Sequence, residues 1–189
     1  MTAQVISRHY FAVMVDNEPG VLARVIGLFS ARGYNIESLT VDEVDRAARL
    51  SRITIVTTGT PMVVNQIKAQ LGRLVPVRQV INLTEQGRFV EGSLAFIKLI
   101  GDAGKREEAT LVARRFGARV ADTTENAIIF EITSGQDKIE RMIEQLGDLA
   151  PIEIARTGSV AMACGEDVLS IPCPLPAVPF PTDGAADNI

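Results

Sequence analysis

The sequence predicts an α+β protein made of two βαββαβ units, and three observations carry that prediction. Short β-rich apolar segments alternate with stretches of helical period in the order β-α-β-β-α-β. That order occurs twice, on either side of the polar, glycine-containing stretch Thr84 to Gly92. The 189 residues, 47% hydrophobic and 22% charged, suit one large domain or two small ones with modest cores. The order is the ferredoxin-like arrangement, two helices over one face of a four-stranded antiparallel sheet. The expected boundaries are 5–84 for the first domain, 85–92 for a linker, 93–169 for the second domain and 170–189 for a tail.

Arg8 to Val15 is the first strand. Both of its alternating sets, Phe11/Val13/Val15 and Tyr10/Ala12/Met14, are largely apolar, so it belongs in the middle of a sheet covered on both sides. The tight loop Asp16-Asn17-Glu18-Pro19-Gly20 follows. A helix then carries Val21, Leu22, Val25, Ile26 and Phe29 on one face, and Gly33 closes it in the left-handed conformation. Tyr34 to Val41 reads as the second strand, Asp42 to Ala48 as a polar connection, and Leu50 to Thr57 as the third strand. Thr60 and Pro61 suit the cap and first position of a helix bearing Val63, Val64, Ile67, Leu71 and Leu74. Pro76 ends that helix, and Val77 to Leu83 is the fourth strand.

In the second unit the strands fall at Ser93–Ile100, Ala118–Thr123, Ala127–Thr133 and Ile152–Thr157. The helices fall at Arg106–Phe116, after a loop at Asp102–Lys105, and at Asp137–Leu146. From Ser170 onward five of the nine prolines alternate with small or apolar residues, which predicts an extended, mobile tail.

Composition excludes several functions. A net charge of −4, with 19 basic and 23 acidic residues, argues against general nucleic-acid binding. No apolar run approaches the roughly 18–20 residues of a membrane-spanning helix. The N-terminus lacks a basic leader and a cleavage site, so a cytoplasmic location is expected. Cys164, Cys173 and His9 sit at unrelated positions and make no metal site. His9, the one histidine, reads as a surface or sheet-end residue, and no serine or cysteine has the spacing of a nucleophile. Glu37 and the cluster Asp42/Glu43/Asp45 read as a strand position and a solvated loop. No catalytic residues are assigned.

The Asp16–Gly20 loop is different in kind. A loop that feeds a helix N-terminus presents free N–H groups and the positive end of the helix dipole, so it can hold a small anion. By itself DNEPG is also an ordinary turn. However, NEPGVLARVIGLF, RGYNIESLTV and LSRITIVT, at this spacing, closely resemble the small, regulatory subunit of acetohydroxyacid synthase (acetolactate synthase). The N-terminal half resembles its amino-acid-binding ACT domain. The likeness extends through most of residues 8–169, more loosely at IEIARTGSVAM, and the Pro-rich extension after about Leu169 departs from it.

That resemblance implies feedback control by a branched-chain amino acid, usually valine, held between ACT domains of a dimer. It places Asn17, Gly20, Val21 and Leu22 in the site, with Asn35 and Ile36 supplied by the neighbouring protomer. Backbone N–H groups around Gly20 to Leu22 suit a carboxylate, the Asn17 and Asn35 amides suit the ammonium and carboxylate, and Leu22 and Ile36 suit an isopropyl group. The implied partner is a catalytic large subunit carrying thiamine diphosphate, a divalent metal (Mg) and FAD. The competing reading is a stand-alone tandem ACT-like amino-acid sensor acting on gene expression.

Overall fold

The computed structural model describes residues 6–166 and residue 169. The first unit contains β1 (Ser7–Asp16), α1 (Val21–Arg32), β2 (Ser38–Asp45), β3 (Leu50–Gly59), α2 (Pro61–Leu71) and β4 (Val77–Asn82). Its antiparallel sheet runs β2-β3-β1-β4. β1 is central because both of its faces are apolar. Phe11, Val13 and Val15 meet Val21, Val25 and Phe29 of α1 and Val64, Ile67 and Leu71 of α2. Tyr10 and Ala12 face the opposite way, into a separate cluster.

Local chemistry fixes the helix ends. Gly33 takes φ +67°, its N–H reaches the Ser30 carbonyl at 3.3 Å, and the Tyr34 N–H reaches Phe29 at 3.0 Å. This pair of bonds is a Schellman closure. Thr60 caps α2, its side chain accepting from the Val63 N–H, with Pro61 at the first position as expected. Ile26, expected on the buried face of α1, is 40% exposed, because the sheet beneath is already filled by Val21, Val25 and Phe29.

A short α3 (Leu83–Gln86) leads into the second unit: β5 (Phe89–Ile100), α4 (Ala103–Arg115), β6 (Arg119–Thr123), β7 (Ala127–Ser134), α5 (Gln136–Gly147), β8 (Ile152–Arg156) and β9 (Val160–Ala163). Its sheet runs β6-β7-β5-β8, which repeats the topology of the first. The fold is therefore the α+β pair of ferredoxin-like units that the element order predicts. The core of the second unit lies between this sheet and Ala109, Ala113, Ile139, Met142 and Leu146 of its helices.

Besides α3 and β9, which the sequence does not predict, three stretches differ from expectation. β2 begins at Ser38 and extends through Asp42, Glu43 and Asp45, residues read from the sequence as a connection. An edge strand tolerates charge because its outer side faces water. α4 begins three residues earlier than expected, because the Asp102 side chain accepts from the Lys105 N–H at 3.0 Å and caps it. The segment 85–92 holds the end of α3 and the first four residues of β5.

Those first four residues pair with β9, from Phe89↔Ala163 to Gly92↔Val160. The resulting ribbon covers the helix-free face of the first sheet. Tyr10, Ala12, Val56, Ile81 and Leu83 are buried there with Ala161, and the Phe89 ring packs on Tyr10 at 5.1 Å. Polar bonds reinforce the joint: the Ser159 N–H donates to Ser38 Oγ at 2.7 Å, and Thr40 Oγ1 donates to the Ser159 carbonyl at 3.1 Å. Gly158 passes so close to β2 that a Cβ would stand 2.7 Å from Thr40 Cγ2 and 2.9 Å from the Leu39 carbonyl oxygen.

His9 is buried at 7% exposure, with its ring nitrogens bonded to Ser7 Oγ (2.9 Å) and Asn82 Nδ2 (3.2 Å). It is a satisfied structural histidine rather than a surface one. The Pro-rich segment from residue 170 and Cys173 lie outside the described residues.

Candidate functional site

The loop between β1 and α1 is held on both sides. The Asp16 N–H bonds to the Pro76 carbonyl at 2.8 Å, and the Asn17 N–H bonds to the Arg49 carbonyl at 2.7 Å. Ion pairs frame it: Arg78 with Asp16 at 2.8 Å and Arg24 with Glu18 at 2.6 Å. Within this frame Gly20 takes φ +83° and ψ 0°, a left-handed conformation that glycine adopts without strain. A Cβ built on Gly20 meets nothing within 4 Å, so the space above it is open.

No side chain caps α1. The Val21 N–H bonds within the loop to the Glu18 carbonyl at 3.3 Å, so one of the three expected donors is already in use. The Gly20 and Leu22 amides have no partner among the described residues. They lie at the positive end of a 12-residue helix, an arrangement that attracts a carboxylate.

Of the six predicted site residues, the chain brings four together: Asn17, Gly20, Val21 and Leu22. Val21 is buried at 6% exposure, which leaves only its backbone near the loop, while Leu22 is half-buried at the edge of the core. Asn35 and Ile36 lie at the other end of α1, whose 12 residues span about 18 Å. Asn35 is exposed, and its carbonyl accepts from Thr57 Oγ1 at 2.6 Å. Ile36 is half-buried against the core. A single chain therefore does not join the two sets.

The structure adds a residue that the sequence reading passed over. Asn17 Nδ2 donates to Glu43 Oε1 at 2.9 Å, and Arg46 lies 3.5 Å from the other side of that carboxylate. The hairpin register Glu43↔Ser51 and Asp45↔Leu50, with Asp16↔Leu50 across β1, carries the end of β2 to the loop. A ligand ammonium near Asn17 would find this carboxylate. Counting the β2–β3 register back from the turn is the signal that could have found Glu43.

Among the described residues, no group of three or more His, Cys, Asp or Glu is arranged to hold a metal ion. Among the described residues, no helix is long and apolar enough to cross a membrane.

Two family descriptions match the chain. Residues 11–79 match the AHAS small subunit-like ACT domain, and residues 93–165 match the small subunit of acetolactate synthase. A protein of Archaeoglobus fulgidus described as a probable acetolactate synthase small subunit is 42% identical over 158 residues, covering 84% of this chain and 98% of its own. The acetolactate synthase isozyme 3 small subunit of Escherichia coli is 37% identical over 163 residues, covering 86% and 99%. The crystal structure of the acetolactate synthase small subunit from Thermotoga maritima aligns with a TM-score of 0.75 at 35% identity, covering 85% of this chain and 99% of that one. With both halves matched and the relatives covered almost end to end, the chain belongs to the acetolactate synthase small-subunit family, its first unit an ACT domain.

Proposed function

We propose that this chain regulates an acetolactate synthase, with valine bound at the Gly20 loop and the response passed to a separate catalytic large subunit. The observation that carries the reading is the start of α1, an uncapped helix N-terminus under open space at a left-handed glycine. The ligand carboxylate takes the Gly20 and Leu22 amides, and its ammonium takes the Asn17 amide oxygen and Glu43. The isopropyl group lies against Leu22.

Asn35 and Ile36 complete the pocket from a second protomer. A two-fold dimer lays the C-terminal end of one α1 beside the N-terminal end of the other, because an isologous interface places residue i against j and j against i. The edge strand β2, exposed from Val41 to Asp45, follows closely on residues 35–36 and is the natural contact.

In this reading the chain performs no catalytic step. The large subunit holds thiamine diphosphate, Mg and FAD and forms the carbon–carbon bond in the cytoplasm. The small subunit activates it, and valine restrains it by binding two states of the complex unequally. Burial of the valine side chain contributes about 1.5–3 kcal/mol. Each charge-assisted hydrogen bond adds about 1.5–3 kcal/mol. After the entropy of association, micromolar to sub-millimolar binding follows.

Thermal unfolding of the full chain with valine, leucine, isoleucine, serine and phenylalanine tests this. Valine should raise the midpoint most, with about 2.7 kcal/mol of stabilisation at ~100 times its Kd. A response equal for serine and valine, or none with the large subunit present, would overturn it.

A further inference from the structure

A second polar group in the first unit lacks a partner suited to its charge. Arg52 lies on the helix-free face of β3, half-buried, and its Nη2 donates to the Ala161 carbonyl at 2.5 Å. Asp42 stands directly across from it on β2, yet no carboxylate among the described residues lies within ion-pair distance of the guanidinium. Burial alone holds this arginine below its ordinary pKa, with no acidic group acting in the other direction. A half-buried charge with a single neutral acceptor is costly unless an anion completes it.

Space for that anion is present. A cavity of about 350 Å³ opens beside Arg52, between the β2–β3 face and the β5–β9 ribbon. Its walls are mainly apolar, with Val44 from β2, Val90 from β5 and Val160 and Met162 from β9. Val90, Val160 and Met162 are each about 60% exposed, although they sit side by side on one ribbon. The polar groups are few: Arg52, the hydroxyls of Thr40 and Thr54, and Asp42. Glu91 also borders the cavity, but its carboxylate lies against Gly135 at the start of α5, where a Cβ would come within 2.6 Å of Oε1. An apolar hollow with one cation at its base and an acid opposite matches a small carboxylate with an aliphatic body.

We propose that the groove between β2–β3 and the β5–β9 ribbon is a second ligand site, in which Arg52 holds the carboxylate of a small aliphatic acid and Val44, Val90, Val160 and Met162 enclose its hydrocarbon. A 2-oxo acid and an amino acid share this chemistry, and in the second case Asp42 takes the ammonium. The site uses none of the residues of the Gly20 loop, so the two can fail independently. Because its two walls come from different units, occupancy tightens their joint.

The test is calorimetric titration of the full chain with 3-methylbutanoate, which lacks an ammonium and is therefore a poor ligand for the Asn17–Glu43 loop. Saturable binding at one site per chain is expected, unchanged in Gly20→Asp. Arg52→Gln should weaken it about tenfold or more, Arg52→Lys should recover part of the loss, and Val160→Trp should block the hollow with Arg52 intact. The Lys and Trp variants keep the result readable if Arg52→Gln folds poorly. Tighter binding of valine than of 3-methylbutanoate in the Gly20→Asp background assigns the site to an amino acid, and tighter binding of 3-methyl-2-oxobutanoate assigns it to an oxo acid. No saturable binding at millimolar concentrations overturns the proposal. So does binding that survives Arg52→Gln and Val160→Trp, or that is lost in Gly20→Asp.

Discussion

The two units share a topology and differ at two equivalent places. The first place is the helix-free face of the sheet. In the first unit it is covered by the ribbon, with Tyr10, Ala12, Val56 and Leu83 buried beneath. In the second unit it is open, with Phe96 40% exposed amid the Lys98–Glu153 and Arg119–Glu131 pairs. The second place is the turn into the first helix. α4 is capped by its own Asp102, whereas α1 starts at Gly20 with no side-chain cap. The first helix therefore has a side-chain cap in the second unit and none in the first. The proposed carboxylate site rests on that difference between α1 and α4.

The largest expected effect tests the covered face. Leu83, 1% exposed, lies between the first sheet and the ribbon, so Leu83→Ala should cost about 2–5 kcal/mol. Phe96→Ala on the open face removes a larger side chain and should cost roughly 1 kcal/mol or less, since half-exposed positions lose little. Urea denaturation of both variants measures the difference. Equal costs would mean that the second face is covered in solution, for instance by another chain.

Most of this comparison can be read in the sequence. β1 is apolar at six consecutive positions from Tyr10 to Val15, as a strand covered on both faces must be. β5 alternates Ala95, Ile97 and Leu99, all buried, with Phe96 and Ile100 on the open side. The covering element itself was not legible. β9 is four residues long, and its partner lies about 70 residues earlier, at Phe89–Gly92, so no local pattern announces it. The sequence places β2 too early, at Tyr34–Val41, for a related reason. Asp42, Glu43 and Asp45 carry the composition of a loop, and the edge of a sheet accommodates them where a central strand could not. In the candidate site, Gly20 and Asn17 announce themselves through the turn, while Glu43 enters only through the hairpin register.

The next effect exchanges the two helix starts. Gly20→Asp gives α1 a side chain that can cap its own first turn and a negative charge at the place proposed for the ligand carboxylate. It should abolish the valine-dependent stabilisation of about 2.7 kcal/mol and desensitise the holoenzyme to valine. Nothing crowds a Cβ at this position, so the chain should still fold, at about 1 kcal/mol for the left-handed backbone. The mirror change, Asp102→Ala, removes a cap and should cost about 1 kcal/mol while leaving the response to valine intact. Valine-dependent melting of the two variants separates the roles. A Gly20→Asp chain that still responds would move the sensor away from α1.

The smallest effect concerns the ion pairs on the open face. Lys98 Nζ donates to Glu153 at 2.7 Å and holds that carboxyl below its usual pKa. A depressed folded-state pKa places any contribution to stability above the unfolded carboxylate value, to be lost as the pH falls through the folded one. Glu153 is fully exposed, so solvent and salt screen the pair and the contribution should be too small to resolve. Glu153→Gln should therefore unfold at the same urea concentration as the parent chain at neutral pH, and again at a pH below the carboxylate range. A loss at neutral pH that disappears in acid would show that the open face depends on its charges. The contrast with the first unit would then be between two kinds of cover, a peptide ribbon and an ion-pair layer, rather than between a covered face and a bare one.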